Sequence, residues 1–423
     1  MTLYTEHLLP AANFLRDVEE VGLIYDVDAA ADMFENEVNP ELGELKKTMR
    51  DMSELPLFNP NSPDQVAALY YDRWEIQHEM RNRPPQGNRT FERSVDDYAR
   101  REILSGDFTG NGKVDGDFID RFTRELDRFK KLGKINSTYI VGLIPYALED
   151  PEYRIYTNLN LHTTETGRTS STDPNLQNIT RPKPNLPDIR NLFYAPPGRR
   201  LVSADYSQAE LRVIAQLSQD AELRRIYYEG LDLHTEVAIR FYGKDFTPEN
   251  RQSAKNMDFG VAYRITAKTF KMHHGIPIKE GQQFIDWWWT RFSGVARWEK
   301  EVEKQVHANT VVSPFGNKKR SYLITDANKQ ALYREAINFY PQNIASNLNL
   351  LAGVWISKET DPTRARINLL VHDNIMAEVD DDYVDEYKGV MREIMESVAK
   401  VRLNWDLPFT VDIGDGLTWG SAK

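Results

Sequence analysis

Residues 367–382 read INLLVHDNIMAEVDDD. Apolar residues stand on both sides of a short polar knot, His372-Asp373-Asn374. That is the pattern of a strand, a tight turn that tolerates Asp and Asn, and a returning strand. An aspartate raised on such a turn is either a metal ligand or simply a turn residue, and the hairpin alone leaves both open. The amide of Asn374, directly after it, is the less expected feature.

Composition sets outer bounds. The chain has 423 residues, enough for several subdomains, with 40% hydrophobic and 28% charged residues, as in an ordinary soluble globular protein. No apolar run approaches the roughly 18 residues of a membrane span, and the N-terminal MTLYTEHLLPAANFLRDVEE lacks a signal-peptide layout. The absence of cysteine excludes disulfides, zinc fingers and thiol catalysis, and fits an intracellular protein. A net charge of −11 means that any nucleic-acid surface must concentrate its Lys and Arg on one face.

Working outward from the hairpin, the chain reads as α+β, with helical parts flanking a small sheet. Residues 1–57 read as helical. A new helix starts in FNPNSPDQV, signalled by Ser62-Pro63-Asp64. Residues 83–118 read as loops around one helix. DRFTRELDRFKKLGKINSTYI (120–140) is an amphipathic helix expected to end near Gly133. RRLVSAD (199–205) approaches Asp205 as a strand. Residues 206–310 are mostly helix, broken near Gly230, Gly243 and Gly275. A strand–turn–strand follows around Phe315-Gly316, then a long helix over about 326–357 and another at 382–401.

Two acidic patterns are distractors. Asp107, Asn111, Gly112 and Asp115 fall at calcium-loop offsets, but the twelfth position is Phe118, where such a loop needs a bidentate Glu. Asp17 and Glu19 form an Asp-x-Glu pair inside a helical pattern without partner acids, which reads as a solvated face.

Four further stretches carry chemistry. In SADYSQAELR (203–212) a strand ends at Asp205 and a helix follows; two carboxylates from separate strand ends suit paired magnesium ions and in-line phosphoryl transfer. A helix-capping role for that aspartate is the alternative. In RQSAKNMDFGVAY (251–263), Arg251, Lys255, Phe259 and Tyr263 recur every four residues on one helical face. Like charges so placed repel unless an anion such as a triphosphate neutralises them. The alternative is a surface basic pair above an aromatic core stripe. TGRTSSTDPNLQNI (166–179) is dense in side chains that reach phosphates and minor-groove acceptors, or is merely a polar loop. In REAINFYPQNIASN (334–347), Arg334, Asn338 and Gln342 share one helical face, which either reads groove edges or is solvated.

These stretches, with the hairpin, occur together and in one order. That arrangement resembles the polymerase region of family A DNA polymerases, of the DNA polymerase I type that also includes phage replicases. TGRTSSTDPNLQNI and DYSQAELR look like family motifs almost verbatim. RQSAKNMDFGVAY is similar to the fingers helix, and VHDN to a palm hairpin normally written His-Asp-Glu. EGLDLHTEVA, RFSGV, AINFYPQ, FNPNSPDQV and KINSTY match as well, so the similarity spans essentially the whole chain.

The resemblance implies a right-hand fold: N-terminal and thumb over 1–150, palm over 151–215 and 313–423, fingers over 216–312. It implies that Asp205 and Asp373 bind two Mg2+ ions, with Mn2+ as a substitute, assisted by the Tyr206 carbonyl. Arg251, Lys255 and His234 would contact the incoming dNTP, with Gln208 beside them and Phe259 on its sugar and base. Tyr263 would close the template-base position, and Glu210 would exclude a ribose 2′-OH. Arg168, Asn178, Arg334, Asn338, Gln342 and His372 would line the primer–template minor groove. Lys134, Asn136, Ser137 and Thr138 would hold the duplex backbone.

The implied protein is a magnesium-dependent DNA-templated DNA polymerase acting as a monomer in the cytoplasm, a host's if phage-encoded. The N-terminus already matches the thumb side, leaving no room for proofreading or 5′-nuclease domains. The chain is thus expected to be a reduced, phage-type polymerase or part of something longer, with a separate exonuclease or replisome partner left open. Three departures stand out: Asn374 for the usual Glu, Ala209 for a larger aliphatic residue, and Arg264 for the usual Gly. Ala209 is expected to loosen the nucleotide pocket, Arg264 to alter template passage, and Phe259 to discriminate against dideoxynucleotides. Asn374 keeps a weakened primer–template binding protein as a rival; Glu210 disfavours an RNA polymerase.

Overall fold

The structure, a computed structural model, describes residues 4–79, 93–110, 112, 114–183, 185–319 and 323–422. It divides into two compact units: residues 1–27, 145–265 and 283–423 form the first, and 28–144 with 266–282 the second.

The first unit is built on a four-stranded antiparallel sheet. Its strands are β1 (Arg199–Tyr206), β2 (Ala365–Val371), β3 (Asn374–Asp380) and β4 (Val411–Gly416), in the order β4-β1-β3-β2. The opening stretch is the β2–β3 hairpin, with Asn374 opposite Val371 across the two-residue loop His372-Asp373. Its alternation is not clean because the strands are buried almost throughout. Arg154 and Arg199 converge on buried Glu378 at 3.0 and 3.2 Å.

Helices cover the sheet. They include α1 (Leu9–Glu19), α3 (Ala209–Ser218), α7 (Ser293–Ala308), α8 (Lys329–Glu359) and α9 (Val384–Leu403), and their apolar faces share one core with β1–β3. At about 25 cal/mol per Å² of apolar surface, such burial is the main favourable term in folding. The 31-residue α8 also buries a polar line: Asn343 donates to the Thr166 carbonyl at 2.8 Å, and Asn347 bonds His7 at 2.5 Å. On the same unit stand α4 (Leu233–Tyr242), α5 (Pro248–Ala262) and part of α6 (Ile278–Arg291).

The second unit is helical around an aromatic cluster of Phe58, Tyr70, Trp74 and Phe122, the last on α2 (Gly116–Ile135). Ser62 caps a helix as expected, accepting from the Gln65 amide. Helix α2 runs past Gly133 to Ile135 and into one wider turn, Asn136–Ile140, because Leu132, Ile135 and Tyr139 continue its buried face. Burial outweighs a glycine's modest helix penalty of about 1 kcal/mol. Residues 1–57 are likewise not all helix: Gly22, at φ +65°, turns the chain into the buried strand Leu23–Tyr25. A side chain at Gly22 would meet the Tyr156 ring at 2.9 Å.

Breaks fall at Gly230, Gly243 and Gly275, and Val311–Val312 pairs with Lys318–Lys319 around Phe315-Gly316. Asp115 caps α2, and Asp17 lies exposed on α1 beside Arg16. The loop reading of residues 83–92 and the Asn111 position of the calcium-loop spacing lie outside the described residues. No helix among the described residues is long and apolar enough to cross a membrane.

Candidate active site

Strand register assembles the acids. On β1, Asp205 stands opposite Asn374 of β3 on one side and Asp412 of β4 on the other. Directly opposed residues project to the same sheet face, so one carboxylate is flanked by an amide and a second carboxylate. Asp373 sits on the adjoining turn, where its carbonyl accepts from the Tyr206 amide at 3.2 Å and ties the two strand ends together. His372 holds the left-handed region at φ +57°, a conformation that costs a non-glycine residue on the order of 1–3 kcal/mol. Asn349 of α8 clamps this turn by donating to both the His372 and Asn374 carbonyls at 3.2 Å. The Asn374 side chain donates to Ser203 Oγ at 2.8 Å.

The electrostatics are those of crowded acids. Burial, joined by the charge of Asp205, pushes Asp373 well above the ordinary carboxylate range. Burial also raises Asp205; Asp412 adds to the effect, while Arg181 and Lys255 oppose it. Asp205 Oδ2 meets Arg181 at 3.2 Å, whereas its buried Oδ1 has no hydrogen-bond partner. Asp205 and Asp412 open onto a cleft of about 630 Å³ whose lining also includes Asn178, Arg181, Arg190 and His372. An orphaned carboxylate oxygen beside a second carboxylate that resists ionisation fits a divalent cation completed by phosphate and water oxygens. No group of three or more His, Cys, Asp or Glu placed to hold a metal occurs among the described residues.

Helix α5 supplies cations. Thr247 and Asn250 form its capping box. Arg251 pairs with Asp232 at 2.9 Å, and Gln208 donates to the same carboxylate at 2.8 Å. Tyr227 in turn donates to Gln208 at 3.1 Å. Lys255, one turn on, has no ion-pair partner among the described residues, and its charge reaches Asp205. Phe259 lies with its ring 5.7 Å from that of buried His234. Tyr263 closes the helix with its hydroxyl buried and unpartnered. Arg264, at φ +61°, reaches Glu299 of α7 at 2.5 Å and Glu303 at 3.3 Å.

Glu210, in the first turn of α3, is paired with Arg168, and burial raises its affinity for a proton against that pairing. Ala209 beside it is buried in the core. The loop 166–179 is fixed by Gln177, which donates to the Leu370 carbonyl at 2.8 Å. On α8, Arg334 is exposed while Asn338 and Gln342 are half-buried. Burial and the guanidinium groups of Arg168, Arg181 and Arg190 hold His372 below the ordinary imidazole range. Lys134, Asn136, Ser137 and Thr138 belong to the second unit, at the end of α2 and its following turn; all but Asn136 are well exposed.

Sequence reasoning missed Arg181, Asp232, Asp258, Asn349 and Asp412. Asp412 stands in a strand whose register cannot be read from VDIGDG, and Arg181 in a Pro-broken loop. Asp258 was visible inside the α5 stretch, but its partners come from two other helices.

A small antiparallel sheet bearing paired acids, with a basic helix beside it, defines the right-hand polymerase class. The sequence model of DNA polymerase family A matches residues 28–421, and the chain belongs to that family. It is 32% identical over its whole length to the thermostable DNA polymerase I of Thermus filiformis and 31% to that of Thermus aquaticus, covering 48% of each. It is 28% identical to DNA polymerase I of Lactococcus lactis subsp. lactis, with 99% of the chain and 46% of the relative covered. The chain thus spans about half the length of these relatives. A similar solved structure is the POL domain of Pol1 from M. smegmatis in complex with DNA primer-template and dNTP. It has a TM-score of 0.84 at 25% identity, covering 99% of this chain and 71% of that one.

Proposed function

We propose that this chain is a template-directed DNA polymerase that adds dNTPs to a primer 3′-OH. The observation that supports the reading is the strand register that sets Asp205 opposite Asn374, next to the turn carrying Asp373, with the charge of Lys255 acting on Asp205. Asp205 and Asp373 would hold divalent cations, Mg2+ or Mn2+, with the Tyr206 carbonyl beside them. When bound, such ions activate the primer oxygen and screen charge on the transferring phosphate.

The chain's own residues do the rest by position and charge. Lys255 neutralises the triphosphate together with Arg251, which must share its guanidinium between the phosphate and Asp232, and His234 contacts it as well. Phe259 packs on the nucleotide sugar and base, and Tyr263 closes the template-base position. Glu210, paired with Arg168, shapes the pocket wall against a 2′-OH, beside Gln208, which donates to Asp232. Arg168, Asn178, Arg334, Asn338, Gln342 and His372 contact the primer–template duplex. Lys134, Asn136, Ser137 and Thr138 contact its backbone.

Primer extension on a defined template tests this. Template-matched addition of dNTPs but not NTPs is expected. Failure to extend, with primer–template still bound, would favour the binding-only reading; equal use of NTPs would favour an RNA polymerase.

A further inference from the structure

Asp258 lies on α5 seven residues after Arg251, close to the same helical line, yet it is wholly buried. A lone buried carboxylate is expensive, so its partners matter. The Nδ1–H of His234, on α4, donates to Asp258 Oδ2 at 2.9 Å, and the indole Nε1–H of Trp288, on α6, donates to Oδ1 at 3.2 Å. Two donors thus meet two acceptor oxygens. An amide here offers one acceptor and one donor group, so the pair of donors selects an acid.

The imidazole is itself buried, and its other nitrogen, Nε2, has no hydrogen-bond partner. One side of the ring is therefore fixed by a carboxylate, and the other is a polar atom awaiting a partner, beside Phe259 at 5.7 Å between rings. A carboxylate behind an imidazole fixes its orientation and favours a proton on both nitrogens when an anion meets the far side. Burial pushes Asp258 up to about 6, against the pull of His234 and Trp288; the nearby charge of Asp232 acts in the same direction as burial.

We propose that Asp258 is a positioning residue for nucleotide binding: it holds His234 so that Nε2–H is presented to a phosphate of the incoming dNTP. Its negative charge offsets the imidazolium in that complex, and Trp288 fixes the carboxylate in turn. This rests on the reading of His234 as a triphosphate contact.

The test is steady-state primer extension by Asp258→Asn, His234→Ala and the double variant, with thermal unfolding measured on each. KM for dNTP should rise roughly tenfold in each single variant with kcat within about threefold, and the double should be no worse than His234→Ala, as for residues acting as one unit. A KM raised in His234→Ala but unchanged in Asp258→Asn, or effects that simply multiply, would overturn the role of Asp258 alone. An unchanged KM in both would overturn it together with the nucleotide reading of His234. If Asp258→Asn fails to fold because the amide cannot serve both donors, Asp258→Asn with Trp288→Phe removes one donor. That pair is read against Trp288→Phe with the same expectations.

Discussion

Asn374 and Asn349 show how amides serve this site. Asn374 spends its NH2 group on Ser203 while flanking Asp205, so it supplies an oxygen but no charge. A glutamate there would accept from the Ser203 hydroxyl and add a negative charge facing Asp205. Asn374→Glu is therefore expected to hold activity level or raise it, read as kcat in primer extension with Mg2+; an inert parent made active would instead support the binding-only reading. Asn349 has the opposite task, holding the His372 turn in its left-handed conformation through two carbonyls. Asn349→Ala should lower stability by about 1–3 kcal/mol by removing the two hydrogen bonds to the turn carbonyls. It should also lower kcat roughly tenfold, since about 1.4 kcal/mol of misplacement suffices for that. Unfolding and extension assays check both; unchanged values would make the clamp incidental. Asp373 was legible because apolar runs frame its turn, whereas Asn349 gave no signal: its partners lie more than twenty residues away.

At the level of elements, the end of α5 is held by a contact the sequence only hinted at. Arg264 stood out as a departure, but its partner Glu299 is buried on α7, where nothing in the charge pattern marks it. Burial pushes the Glu299 carboxyl up to about 7, with Arg264 opposing. Because the folded state holds this proton more tightly than the unfolded chain, the associated stability is full below about pH 4.5 and lost as pH rises through about 7. Glu299→Gln should flatten the fall in unfolding free energy between mildly acidic and mildly alkaline pH, by on the order of 1–3 kcal/mol. A parallel curve in the variant would contradict it. Most helix positions are legible because apolar periodicity is local; the end of α2 is not, because burial of Ile135 and Tyr139 overrides Gly133, and neither is the buried strand Leu23–Tyr25. Register was beyond reach for β4, so Asp412 emerged only from pairing with β1.

For the whole molecule, a net charge of −11 requires that duplex binding rest on local clusters of Lys and Arg. Primer–template affinity should then fall steeply with salt, the logarithmic slope scaling at about 0.9 per phosphate contacted. Lys134→Ala should reduce that slope by about one and weaken all sequences alike. An unchanged slope would remove Lys134 from the interface. The fold class was legible because the motifs, taken together and in order, resemble those of one family. The proposed chemistry depends on the paired acids where the two strands meet. Its most direct test is single-turnover addition of one matched dNTP by the Asp205→Asn, Asp373→Asn double variant, with primer–template binding confirmed. Loss of at least about 10³-fold in rate, with binding retained, is predicted; addition within about tenfold of the parent would contradict the central claim.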